Sequence, residues 1–227
     1  MNPGPDLGQR VSKFVKFLIG LFLLPLSVAA LPALSRVLRA SGEVTPVWVA
    51  LVAGMACWVV VFLLLPKPMW VYVFGHELTH ALWTWAFGGR VKKFKVTAKG
   101  GHVIITKTNF FISLAPYFFP LYAVCVAVFF LIGDLIWNWH RYQWVFHFLL
   151  GAAYAFHVTL TLFVLRTRQT DITDHGWLFS IVVIWLGNFG TLLLALPILT
   201  GQPALGDALS WWLIETGQLV QRVGRVF

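Results

Sequence analysis

Two histidines four residues apart with a glutamate beside the first, His76, Glu77 and His80, are the residues of this chain best placed to do chemistry. On an α-helix, residues i and i+4 share a face, so the two imidazoles can grip one metal ion. Glu77 then lies beside the metal, placed to take a proton from a bound water. The surrounding run, residues 69–89, reads MWVYVFGHELTHALWTWAFGG and is long and apolar enough to be expected as a helix across a bilayer. A charged group in such a run costs ~2.5–3.5 kcal/mol on insertion scales, so these titratable side chains need partners. Without a metal they would have to hydrogen-bond to neighbouring helices. Zinc is the expectation.

Catalytic zinc commonly has three protein ligands and an open position for water. The metzincin pattern needs a histidine six residues after His80, where the chain has Ala86, so that class is excluded. The only glutamate after Glu77 is Glu215, in the tail. Among the remaining acids, Asp171 and Asp174 fall together just before a late apolar run, three apart and so on roughly one face if a helix begins there. One could bind zinc while the other caps the helix. His157 and His102 are reserve ligands. Asn109 and Asn188 could donate to an oxyanion, or serve as hydrogen-bonding residues between helices.

The elements that must position these residues belong to an all-α polytopic membrane protein. Of 227 residues, 59% are hydrophobic and 11% charged, against about 25% charged in a soluble domain. About six spans are expected in a single domain over residues 1–227, at residues 14–34, 46–65, 69–88, 109–132, 142–165 and 177–199. The run after Arg10, Lys13 and Lys16 is too long for a signal core and reads as an uncleaved first span, with a kink at Pro25. Arg36 and Arg39 are placed in the connection after it. Pro116 and Pro120 predict a bend in the fourth span.

Between residues 90 and 108 polar and apolar residues alternate, as half-buried strands require, and Gly100-Gly101 suits a hairpin turn. A short membrane-associated β-hairpin is therefore expected directly after the metal helix. Residues 205–227 have apolar residues at helical spacing, which fits an amphipathic helix lying on the membrane or, equally well, a packed terminal helix. Cys57 and Cys125 sit in apolar runs and indicate no disulfide framework. The net charge of +9 suits loops facing anionic headgroups, and no nucleic-acid partner is expected.

The membrane-embedded Phe74-Gly75-His76-Glu77-Leu78-Thr79-His80-Ala81-Leu82 stretch, followed by Gly88-Gly89-Arg90 and a short hairpin, resembles the site-2 protease family of intramembrane zinc metalloproteases. The proline-bearing span after the hairpin and a late aspartate-containing segment fit the same order. In that family a late aspartate in an Asp-Gly motif supplies the third ligand. Here Asp174-His175-Gly176 is an interrupted version of the motif, and Asp171 competes with it.

The resemblance implies a hydrolase that cuts a membrane-protein substrate, a transmembrane segment, within or beside the lipid bilayer. Zinc would be held by His76, His80 and an aspartate, with Glu77 as the base. It also implies that an edge of the hairpin holds the unwound substrate as an added strand. The localisation expected is integral and multi-pass, in the plasma or inner membrane if the source is prokaryotic. The alternative is a non-catalytic membrane protein, a metal-binding scaffold or transporter component, that retains the zinc helix without turnover. Aspartyl and serine intramembrane chemistries fit worse, because neither Gly-x-Gly-Asp nor Gly-x-Ser-Gly occurs.

Overall fold

A computed structural model of the chain describes residues 7–42, 45–97 and 100–225. It is mostly helical, with one two-stranded antiparallel sheet. In order come α1 (Leu7–Ala40), α2 (Thr45–Leu64), α3 (Met69–Ala86), β1 (Val91–Thr97), β2 (Gly100–Ile105), α4 (Phe110–Phe118) and α5 (Leu121–Trp137). A 3-10 turn at Trp139–Tyr142 leads into α6 (Gln143–Val164), α7 (Thr170–His175), α8 (Trp177–Thr200) and α9 (Leu205–Gly224). The chain divides into two compact units, Met1–Glu43 with Arg168–Phe227, and Val44–Thr167.

Four helical stretches among the described residues are long and apolar enough to cross a membrane: Ser12–Ala40, Pro46–Leu64, Trp139–Val164 and Trp177–Thr200. A fifth is obtained if α4 and α5, bent by 75° at their break, are counted as one. That break falls at Phe119 and Pro120, inside the span expected over residues 109–132, where the prolines predicted a bend. Length and composition thus qualify four or five of the six expected spans, and α3 is the one that does not pass by itself. His76, Glu77 and His80 lower its mean hydropathy. Two further boundaries differ. The first helix runs on through Pro25 and Pro32 to Ala40, so Arg36 and Arg39 are helical and not part of a connection. Gly100 and Gly101 are not the hairpin turn but the first residues of β2, opposite Thr97 and Val96. Residues 98–99, between the two strands, lie outside the described residues.

In the unit formed by Val44–Thr167, α2 lies along α6 at a crossing made by two glycines. A Cβ on Gly54 would stand 1.9 Å from the Phe148 carbonyl oxygen, and one on Gly151 would stand 2.1 Å from that of Leu51. Each glycine thus seats against the other helix's backbone, as small residues allow where apolar lipid gives helices little reason to associate. The Trp58 indole donates to Thr159 Oγ1 at 2.8 Å across the same pair. Helix α3 turns its polar residues inward: Glu77, Thr79, His80 and Thr84 are buried, while Trp70, Leu82 and Trp85 are exposed. Both strands of the hairpin pack on α3, with Phe74 edge-on to Phe94, and α4 closes a further side with Ile112, Leu114, Ala115 and Tyr117 fully buried.

In the other unit, α1 is the spine on which α8 and α9 pack. Trp185 on α8 donates to the Ser27 carbonyl, and Trp212 on α9 to that of Leu26. Glu215 pairs with Arg36 at 3.0 Å, and the same guanidinium lies over Trp211. Of the two readings of the tail, the packed terminal helix is the one seen.

Candidate metal centre

Helix α3 presents His76 and His80 one turn apart, and their Nε2 atoms stand 3.3 Å from one another. Two nitrogens each ~2.0–2.1 Å from a tetrahedral zinc ion would stand about 3.3–3.4 Å apart, so the spacing fits a shared ion. The state of His80 is set by its other nitrogen. Nδ1 lies 2.8 Å from the Ile112 carbonyl oxygen, which can only accept, so Nδ1 carries the proton and Nε2 of the neutral ring keeps its lone pair. Metal-binding histidines characteristically donate their second nitrogen in this way. His76 is half-buried, with Tyr117 edge-on at 5.2 Å between ring centroids. The two side chains could hold a metal ion.

Glu77 is 7% exposed and lies under the hairpin. A Cβ on Gly101 would come within 2.7 Å of Glu77 Cγ and 2.9 Å of Val73 Cγ1, so only glycine lets β2 approach α3 this closely. Successive strand residues face opposite sides, so His102 points away from Glu77, and it is exposed. The reserve ligand in the hairpin is thus turned away from the helix that its neighbour covers. His157 is buried on α6 and lines a small cavity together with His76, Tyr72, Thr79 and Tyr122. That cavity offers about 20 Å³ to the centre of a water-sized sphere, enough for about one water molecule.

Asn109 does not stand as a free amide. Its side-chain oxygen caps α4 by accepting from the Ile112 N–H at 2.9 Å. Asn188, on α8 in the other unit, donates to the Ile184 carbonyl of its own helix. Asp171 and Asp174 both lie on α7, which is separated from α8 by Gly176 at φ 89°. Neither occupies an N-cap position: those of α7 and α8 are Gln169 and Gly176. Asp171 is half-buried and Asp174 exposed, which separates two residues that the sequence left equivalent.

Helix α7 is tied within its own unit by Lys13 Nζ donating to the Thr173 carbonyl and Ser180 Oγ to that of Ile172. Lys16 Nζ lies 2.8 Å from His175 Nδ1. Burial first, and the Lys16 ammonium second, hold the His175 imidazole below its ordinary pKa. The ring is therefore neutral at pH 7 and can accept from Lys16.

What the sequence reading missed is the support around the histidines: the Ile112 carbonyl, the Gly101 cover and the Tyr117 wall. The proline at position 116 was a readable signal for the first of these, taken up below. Comparison with protein-family models, with curated proteins and with solved structures returned no match.

Proposed function

We propose that the protein is a zinc-dependent endopeptidase acting on membrane-protein segments in or beside the bilayer. The observation that carries this reading is the pair of Nε2 atoms 3.3 Å apart, one of them held in the metal-binding tautomer by a backbone carbonyl, with a buried glutamate beside them. When bound, a zinc ion supplies Lewis-acid chemistry, polarising a carbonyl and acidifying a water. His76 and His80 would hold it. Asp171 is the proposed third ligand, as the late aspartate that the family resemblance implies, and it is half-buried where Asp174 is exposed.

Glu77 is the proposed general base, one residue along α3 from the first ligand and shielded from bulk solvent by the hairpin. It would accept the proton of the attacking water and hand it to the departing amine. The hairpin, paired only within itself among the described residues, offers an edge to which an unwound substrate can add as a strand.

Metal content of the detergent-purified protein tests the reading. Wild type is expected to carry near-stoichiometric zinc, Asp174→Ala to keep it, and both Asp171→Ala and His76→Ala to lose it. Loss in Asp174→Ala alone would move the ligand to Asp174. A wild-type protein that takes up no zinc when it is supplied would overturn the protease reading in favour of a polar-cored, non-catalytic membrane protein.

A further inference from the structure

The acceptor that fixes His80 is available for a reason written in the chain. In an α-helix the carbonyl of residue i receives the N–H of residue i+4. Within α4, the residue four after Ile112 is Pro116, which has no N–H to give. Its ring also presses on the carbonyl four residues back, tilting that carbonyl off the helix axis. The Ile112 oxygen is fully buried with its residue and would be left wanting by the proline. It instead receives the proton of His80 Nδ1 at 2.8 Å.

We propose that Pro116 is a positioning residue for the metal centre. By removing one helical hydrogen bond, it dedicates the Ile112 carbonyl to His80, locks His80 as the Nδ1–H tautomer, and aims Nε2 at the point where His76 Nε2 also converges. Two neighbouring features keep α4 in place while it lacks this bond. Asn109 caps its first turn through the Ile112 N–H, and the Phe119 N–H returns to the Ala115 carbonyl at its end. The Ile112 residue is thus held on both sides, its N–H by Asn109 and its C=O by His80. The segment that predicted a bend in the sequence therefore has a second task, and α4 is the outer support of α3. The purpose assigned to this arrangement rests on the metal reading above, but the tautomer can be measured without any metal.

The test replaces the missing N–H and then removes it again. Pro116→Ala supplies an N–H to the Ile112 carbonyl, whereas Pro116→lactic acid, introduced as a backbone ester, has neither the ring nor the N–H. Ring-nitrogen ¹⁵N spectra of the metal-free protein, with His80 assigned by its loss in His80→Asn, should show Nδ1 protonated in wild type. The Nε2–H form should grow in Pro116→Ala, and the wild-type pattern should return in the ester. Zinc affinity by chelator competition should fall about 10–100-fold in Pro116→Ala, the range for losing a ligand's hydrogen-bond partner, and recover in the ester.

A Pro116→Ala protein with the wild-type tautomer and affinity overturns the proposal. So does an ester that behaves like the alanine variant, since the ring and not the missing N–H would then matter. A wild type without zinc affinity sinks the protease reading and the metal-centre role of Pro116 with it, whereas a tautomer that still follows the residue-116 N–H would show that Pro116 sets the protonation of His80.

Discussion

At the scale of single residues, the site is a matter of which atoms carry protons. His80 can hold a metal through Nε2 because its Nδ1 hydrogen is given to Ile112. Glu77, the proposed base, is buried one residue along α3 from His76 and, unlike the imidazoles, offers only oxygens. Glu77→Gln keeps the shape of the side chain and removes its basicity. The expected outcome is zinc content equal to wild type with cleavage of a membrane-protein substrate lowered by about 10²–10⁴-fold, the usual worth of a positioned base. Unchanged cleavage in this variant would take Glu77 out of the chemistry.

Most of these residues were legible in the sequence, since two imidazoles four apart with a glutamate between them need only helical geometry to converge. The choice between Asp171 and Asp174 was not, because both lie three apart on one short helix and only burial distinguishes them. Asn109 has a use that the sequence reading did not include. An asparagine ahead of an apolar run reads as a donor in a membrane and as an N-cap at a helix start, and the second use is the one α4 makes of its oxygen.

At the scale of elements, the hairpin decides access. Strand β1 pairs with β2 through Phe94 opposite Val103 and Val96 opposite Gly101, and Gly101 is where the sheet presses on Glu77. A proline cannot contribute an N–H to a ladder and is tolerated only at sheet edges. Val96→Pro should abolish cleavage while zinc content stays at the wild-type level, both measured on one purified preparation. Retained cleavage would remove the strand from substrate binding. Alternation in residues 90–108 foretold two strands but misplaced their turn. Gly100-Gly101 is a good turn sequence, and it was the need for a residue without a side chain over Glu77, a contact across elements, that claimed Gly101 for β2.

At the scale of the whole molecule, the exposed surface suits a bilayer as solvent. Apolar side chains remain exposed along every long helix: Phe22 at 85%, Leu64 at 76%, Leu162 at 59% and Ile198 at 71%. A water-soluble protein would carry such continuous apolar surface only at the cost of association. The expected behaviour is therefore that of an integral protein: after an alkaline carbonate wash it should stay in the membrane pellet and come out only with detergent. Appearance in the carbonate supernatant would show that the four or five apolar helices do not span.

What the sequence determined by itself is what depends on spacing along the chain. Composition marks a membrane solvent, long apolar runs place most of the helices, and the His76, Glu77, His80 interval marks one face of α3. What only the tertiary structure decided is what depends on residues far apart in sequence. Ile112 meets His80 across 32 positions, Gly101 lies over Glu77, and Gly54 and Gly151 let α2 and α6 touch. The physical reason is the same in each case. A local pattern fixes which way a side chain points along its own element, but the partner of a buried carbonyl, carboxylate or glycine is chosen by packing between elements.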